Sequence, residues 1–287
     1  MRLNVGGYER SFIWLPDSTT GACLGQQGSA LPNGSGSGAY DLPDVINAEQ
    51  AFAQFVDLVF KAGDIEGNVM SFGNTKIQPF DVQLDTYDTA LNDLIQGMTT
   101  ITTNPYRTKT AQNPARSQPK PAGFAVQQRA VDVDTGNQKY ITHFMSKVNA
   151  SYRRGGAQYQ EASNSVLRIA PVLSKYAFTG QQFGIGSNQI NLGLAKNLTD
   201  CYTIITDNPV FLYGFKADGT ATSFTLPYLP VSNVITLNAT PNEYVFNGVP
   251  TALTSASVST GAIVIPAAGT AGQIGSVLWD TAFTPTS

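Results

Sequence analysis

The chain of 287 residues contains little cysteine and little histidine, and it lacks any long apolar run. Its two cysteines, Cys23 and Cys201, are far apart and have no CxxC spacing, which excludes a disulfide scaffold and a cysteine zinc site. We expect both thiols to be free, as in a cytosolic assembly. No run of 18 apolar residues occurs, and the first residues lack the apolar core of a signal peptide. We therefore expect no membrane-spanning helix and no membrane insertion.

Charge is also scarce, because charged residues make up only 13% of the chain. Apolar residues reach 42%, which is enough for a packed core and excludes a disordered chain. A surface of neutral polar groups suits a protein that partners cover, although a soluble β-protein without partners is the alternative. The net charge of −3 argues against a dedicated nucleic-acid binder, since phosphate contacts need basic groups. It permits a wall past which DNA slides without being gripped.

A search for catalytic or metal-binding residues finds no complete set. His143 is the single histidine, and no GxSxG motif or signature cysteine accompanies it, so we interpret it as structural. Asp132, Asp134 and Glu161 could be nominated as glycosidase carboxylates, but any β-protein offers such sets. Four other aspartates are interpreted as helix caps and solvated side chains rather than as a metal site. They are Asp81, Asp85, Asp88 and Asp93. We predict no enzyme activity, no catalytic residue, no cofactor and no metal.

The chain is organised around residues 122–178. Polar and apolar residues alternate there with a period of two, which predicts long strands joined by a turn at residues 134–137 and a corner at residues 153–156. A further strand is predicted over residues 166–173. Because both faces of these strands are largely apolar, we expect the sheet to be covered on both sides. One cover could be a helix and the other a neighbouring subunit.

Two helices are predicted before this stretch. For residues 47–63, Asn47 is a good N-cap, Gln50 follows three positions later and Gly63 suits the position after the helix. A stripe at helical spacing lies between them, formed by Phe52, Phe55, Val56, Val59 and Phe60. A second, shorter helix is predicted over residues 85–97. Its stripe consists of Tyr87, Leu91, Leu94 and Ile95. Before residue 122 we also predict a strand over residues 1–14, a flexible Gly/Ser loop over residues 16–42, and one or two strands over residues 67–84.

Residues 104–123 contain four prolines and four basic residues without any acidic residue. The basic residues are Arg107, Lys109, Arg116 and Lys120. We expect this segment to be an extended arm that docks on an adjacent subunit, where it pairs with acids such as Asp81 or Glu66. A mobile surface loop and a contact with DNA phosphates are the alternatives.

The composition changes at Gly219, after which charge nearly vanishes and short strand candidates follow one another. The Asn247-Gly248 pair signals a tight turn between two of them. We predict a mainly β (α+β) fold with one or two short helices, divided into residues 1–200 and a small β-sandwich-like domain over 201–287. The boundary is placed between residues 200 and 220. The short strands could instead be integral to the main barrel.

The segments FGNTKIQPFDVQLDTYDTALNDLIQG and KVNASYRRGGAQYQEASNSVLRIAPV, with the tyrosine-containing hairpin between them, resemble the major tail tube protein of tailed bacteriophages. The resemblance covers about residues 1–200. It implies a β-barrel protomer that forms stacked hexameric rings around a DNA-delivery channel in the virion tail, assembled in the host cytoplasm. It also implies tape-measure, tail terminator and baseplate proteins as partners, with a sheath protein in some tails. The order SFTLPY…NEYVFNG…GAIVIP is similar to immunoglobulin-like add-on modules of phage virion proteins.

The alternative function is a binding module, either a capsid decoration protein or a receptor- or carbohydrate-binding virion protein. Tyr228 and Trp279 would then be the exposed aromatic residues to probe. A hydrolase that uses Asp132 or Glu161 is the third hypothesis.

Overall fold

Strands dominate the protein, which confirms the predicted mainly β fold. The computed structural model describes residues 2–16, 23, 36–42, 45–48, 55–62, 65–73, 79–88, 91–92, 95, 99–103, 106–110, 122–153, 164–171, 201–231, 243–246 and 249–286. All of the strand pairs in these residues are antiparallel.

The largest described sheet has eight strands. Numbered in chain order, its strands are β1 (Leu3–Trp14), β3 (Tyr40–Leu42), β4 (Val45–Ala48), β7 (Phe80–Leu84), β10 (Ala122–Asp132), β11 (Gln138–Arg153), β12 (Ser165–Pro171) and β13 (Cys201–Thr206). Their order is β3-β1-β10-β11-β12-β7-β4, and β13 pairs with β11 beside β12. Strand β4 at one edge comes close to β1 near the other edge, so the sheet curls toward a barrel.

The predicted hairpin lies at the centre of this sheet. Strand β10 ends at Asp132 and β11 begins at Gln138, close to the predicted positions, and Gly136 has a φ of 72° that a glycine tolerates in a turn. Strand β11 runs to Arg153, where the corner was predicted, and β12 follows at Ser165. The predicted strand over residues 1–14 is confirmed as β1.

A second sheet is built mainly from the C-terminal third of the chain, in the order β18-β17-β21-β14-β2, with β16 on β21. Its strands are β2 (Gly36–Gly38), β14 (Val210–Lys216), β16 (Tyr228–Pro230), β17 (Glu243–Phe246), β18 (Val249–Ala252) and β21 (Ile274–Pro285). Phe246 pairs with Val249, as the predicted tight turn requires. Strand β2 and strand β3 lie within the predicted Gly/Ser loop, so that part of the prediction is wrong.

Three smaller sheets complete the described structure. One contains β15 (Ser223–Thr225), β19 (Ser255–Ala256) and β20 (Ala262–Val264). The others are the hairpins β5 (Phe55–Ala62) with β6 (Ile65–Gly73), and β8 (Thr99–Thr103) with β9 (Tyr106–Thr110). Within the predicted arm, residues 106–110 form β9 and residues 122–123 belong to β10. Its remaining residues, 104–105 and 111–121, lie outside the described part of the chain.

The predicted helix over residues 47–63 is wrong. The chain forms β4 up to Ala48 and β5 from Phe55 to Ala62, and β5 pairs with β6. The physical reason is local: in the run FVDLVFKA nearly every residue is apolar, so a helical stripe can be read from a sequence that fits a strand equally well. Aromatic and β-branched residues then favour the strand.

The shorter predicted helix is confirmed only where the chain is described, at Leu91, Asn92 and Ile95. The Asp88 carboxylate accepts a hydrogen bond from the Leu91 backbone N–H at 3.3 Å, and the Asp88 carbonyl accepts one from Asn92. Asp88 is thus the N-cap, so Asp85 and Tyr87 precede the helix instead of lying in its first turn. Strands β6 and β7 confirm the strands predicted over residues 67–84.

One face of the large sheet encloses an apolar core together with the helical residues. Phe124, Met145 and Leu167 project into this core from neighbouring strands, and Leu91 and Ile95 join them. A helix was one of the two covers that the sequence suggested for the sheet, and this face confirms it.

The other face is covered by the chain itself, and not by the neighbouring subunit that the sequence suggested. Phe12 of β1 and Phe144 of β11 pack in one buried cluster with Phe211 of β14 and Trp279 of β21. Strand β13, which begins at Cys201, is hydrogen-bonded within the first sheet. The predicted regions 1–200 and 201–287 therefore share a sheet and a core, while their independent folding stays a prediction.

Candidate assembly interface

Four strands form a ribbon that extends beyond the packed centre of the large sheet: β1, β10, β11 and β13. On one side, strand β11 has two partners along its length. Its residues 148–153 pair with β12, and its residues 140–145 pair with β13. On the opposite side, β3 pairs with β1 only at Ser11, Phe12 and Ile13. Within the described residues, the ribbon therefore has two open edges, formed by residues 3–10 of β1 and by β13.

The residues on these edges do little to prevent pairing with another chain. Residues 3–8, with the sequence LNVGGY, carry neither charge nor proline, and residues 4–7 are exposed. The charged Glu9 and Arg10 at the end of this edge form ion pairs within the chain, with Arg129 and Asp41. Val5 is 50% exposed and Ile205 of β13 is 44% exposed. Strand β13, with the sequence CYTIIT, also has no charge and no proline. Natural proteins usually blunt an unpaired edge with lysine, proline, a bulge or a covering element. In the described residues β13 contains neither lysine nor proline, and the uncharged part of β1 is protected only by its register shifts, so both edges are candidates for strand addition.

Contacts on the ribbon hold its strands in a fixed arrangement. Ion pairs cross it from Arg129 to Glu9 and connect Lys139 to Asp207, just after β13. The buried Gln127 donates a hydrogen bond to the carbonyl of Val210, which ties the ribbon to the second sheet. These contacts link the four strands to one another and to the second sheet.

His143 lies on strand β11 of the ribbon, and its structural role stays a prediction. Its Nδ1 atom is 2.8 Å from Thr203 Oγ1 on β13, so it links two strands. Burial lowers the pKa of His143, because a desolvated site disfavours the charged imidazolium. Within the described chain no carboxylate contacts His143 to orient its ring, as a catalytic triad would require.

The nominated carboxylates are used by the turn between β10 and β11. Asp132 accepts hydrogen bonds from the Asp134 N–H and the Thr135 hydroxyl, both at 3.0 Å, and the first of these lowers its pKa most. Asp134 pairs with Arg2 at 2.7 Å. Glu161 lies outside the described residues. The structure therefore brings Asp132 and Asp134 together in the turn, where both have partners within the chain.

The four remaining aspartates also have separate surroundings. Asp81 approaches Arg168 at 3.5 Å, and it is thus already near a cation of its own chain. Asp85 is exposed, Asp88 caps the helix and accepts a hydrogen bond from Tyr40, and Asp93 lies outside the described residues. In the described part of the chain no group of three metal-ligating side chains occurs.

The two aromatic residues that were predicted to be exposed probes of sugar binding, Tyr228 and Trp279, are not exposed. Trp279 is fully buried in the core, and Tyr228 is half-buried. The Tyr228 hydroxyl donates to Asp41 at 2.9 Å, and burial, with the nearby Asp41 charge, raises the pKa of Tyr228 to about 12. The expectation that they are exposed is wrong, because β14, β16 and β21 fold these residues inward.

The chain was compared with known proteins. It matches no protein-family model, no similar curated protein was found, and no solved structure is similar to it. No helix in the ranges that the structure describes is both long and apolar enough to cross a membrane.

The open edges are the feature that sequence reasoning did not locate. The sequence feature that indicates these edges is the lack of charge and proline in the segments LNVGGY and CYTIIT. This feature can be interpreted only when the neighbours of each strand are known.

Proposed function

We propose that the protein is a structural virion protein, the protomer of a phage tail tube, which forms rings that stack around a DNA-delivery channel. The observation that carries this proposal is the four-stranded ribbon β1-β10-β11-β13 with two open edges. Each edge needs a partner strand, and a second copy of the chain offers the opposite edge.

The direction of the strands favours a closed ring. Neighbouring strands alternate in direction across the four, so β13 of one copy would lie antiparallel to β1 of the next copy related by rotation. An even number of strands per copy lets this alternation continue around the ring without interruption. The contact is heterologous, and such contacts give rings when the rotation closes.

The dimensions also suit a DNA channel. Six copies, the number that the tail-tube resemblance implies, would give a barrel of about 24 strands. With about 4.8 Å between strands and a tilt of about 40°, the backbone circle would be about 50 Å across. After side chains of about 5 Å on each side, a lumen of roughly 40 Å would remain, which is wider than a DNA duplex.

The charge of the chain agrees with passage rather than binding of DNA. A net charge of −3 gives no general attraction for phosphates, whose neutralisation supplies most non-specific affinity. The lumen would let DNA pass without specific contacts. Tape-measure, terminator and baseplate proteins remain proposed partners, with a sheath in some tails, and the virion tail remains the proposed location.

The test uses one lysine substitution on each edge of the ribbon. Val5→Lys and Ile205→Lys introduce a charge on half-exposed positions, so both variants should fold. Val258→Lys is the matched control, because Val258 is 42% exposed and lies between β19 and β20, on neither edge strand. Negative-stain electron microscopy and light scattering should show rings or tubes for the unmodified chain and the control, and monomers for the two edge variants.

An equimolar mixture of the two edge variants sharpens the test. Each retains one intact edge, so a heterologous contact predicts dimers and nothing larger. A strictly monomeric unmodified chain at high concentration would refute the proposal. Rings that form despite both substitutions would show that another surface drives assembly.

A further inference from the structure

Phe283 has an unusual backbone conformation. Its φ is 57°, and among the described residues no other residue except glycine has a positive φ. This left-handed region is unfavourable for a bulky side chain, so surrounding contacts must hold the residue there. Such strain points to a role for the segment that contains it.

The segment 281–286, which we call the strap, pairs irregularly with β16. Tyr228 is opposite Pro285 and Pro230 is opposite Thr281, so two steps along β16 correspond to four along β21. The bulge that results contains Phe283. The Thr281 hydroxyl accepts the Phe283 N–H at 2.9 Å, and the Thr286 hydroxyl donates to the Leu226 carbonyl at 2.9 Å.

The ring of Phe283 covers an ion pair of the first sheet. The Arg10 guanidinium carbon is 3.7 Å from the centre of the ring, and Arg10 Nε is 3.3 Å from Asp41 Oδ1. Tyr228, which donates to Asp41, meets the ring edge-on at 5.3 Å. The strap is therefore fixed through its ring to β1, β3 and β16, whereas its own backbone is strained.

We propose that the strap is a two-state latch. In the closed state, the Phe283 ring rests on Arg10 and the backbone stays in the left-handed region. In the open state, the ring leaves Arg10, the backbone relaxes, and the edge of β16 and the guanidinium of Arg10 are uncovered. The cation–π and aromatic contacts favour the closed state, and the release of strain favours the open state. This inference does not depend on the tail-tube proposal.

Amide hydrogen exchange tests the latch, because the amides of Phe283 and Thr286 are hydrogen-bonded in the closed state. Arg10→Met keeps the apolar stem of the side chain but removes its charge, and Phe283→Leu keeps the apolar bulk but removes the aromatic face. Both should accelerate exchange in the strap by about tenfold, while residues 277–279 of the same strand stay protected. Arg129→Met, which removes another ion pair of β1 and β10, is the control and should leave strap exchange unchanged.

A second pair of variants tests the strain itself. Glycine accepts the left-handed region and alanine does not, so Phe283→Gly should protect the Thr286 amide about fivefold better than Phe283→Ala. This pair remains informative if Arg10→Met does not fold. Equal protection in the two variants would show that no strain is stored. Exchange in Phe283→Leu that is unchanged, or faster throughout the chain, would overturn the latch.

Discussion

Phe211 provides the sharpest test of how the two sheets depend on each other. It lies on β14, is 1% exposed, and its ring centre is 5.0 Å from that of Phe12 and 5.6 Å from that of Trp279. Phe12 belongs to the first sheet and Trp279 to the second. We predict that Phe211→Ala destabilises both sheets together, because one ring completes the core between them.

The magnitude follows from the burial of the ring. Replacing a buried phenylalanine by alanine costs about 3–5 kcal/mol, which includes the cavity that remains. Each aromatic pair contributes about 0.5–1.5 kcal/mol beyond burial, so a residue with several ring neighbours should lie near the upper end. With a urea dependence of about 3 kcal/mol per molar, a loss near the upper end should lower the midpoint of unfolding by about 1.3–1.7 M.

The two tryptophans of the chain report on the two sheets separately. Trp14 lies at the end of β1, Trp279 lies in β21, and both are buried. Trp14→Phe and Trp279→Phe each leave one fluorescent reporter, and urea unfolding is measured in each background with and without Phe211→Ala. We expect both midpoints to move by the same amount, as in a single cooperative transition.

The exposed Val258 supplies the control, since Val258→Ala should leave both midpoints where they were. The refuting result is a Trp279 transition that moves while the Trp14 transition stays. Residues 201–287 would then unfold as a separate domain, and the aromatic cluster would be only a docking contact.

Two further predictions concern single polar residues. Asp88→Ala should lower the free energy of unfolding by about 1–2 kcal/mol, because it removes the helix cap. Asp88→Asn should retain most of the cap. Thermal unfolding of both variants distinguishes a capping role from one that depends only on the negative charge. His143 has a folded-state pKa below the ordinary 6.5, so the unfolded chain takes up its proton first as pH falls. Stability should therefore decrease from pH 7.5 toward pH 5.5. His143→Gln should remove that part of the decrease, as measured by the midpoints of urea unfolding. An unchanged pH dependence in His143→Gln would contradict the assignment.

The sequence predicts the central hairpin well because its signals are local. Alternation of polar and apolar residues extends over β10 and β11, and Gly136 occupies a position that needs positive φ. Residues 47–63 show the opposite case. Their apolar stripe and apparent caps agree with a helix, but Phe55–Ala62 pairs with Ile65–Gly73, and that pairing decides the conformation.

The candidate interface could not be predicted in the same way. Whether β1 or β13 has an open edge depends on which strands lie beside it. Strand β13, for example, pairs with residues of β11 that lie more than 50 positions away in the sequence. The sequence suggested a second copy as cover for an apolar face, but Phe211 and Trp279 of the same chain cover that face. In the described part of the chain, the surface that we propose for a second copy is the backbone edge of the ribbon.

This difference changes what assembly would require. Burial of an apolar face is non-directional, so it would join copies at many angles, whereas strand pairing fixes both the angle and the register between copies. Strand β1 has register shifts between Val5 and Tyr8 and between Tyr8 and Arg10, and such bulges increase the local twist of an edge. A twisted edge accepts only a partner strand of matching shape, which limits indiscriminate pairing although LNVGGY lacks charge. The irregularity of β1 is therefore what would allow an edge without charge over residues 3–8 to close a ring instead of forming an aggregate.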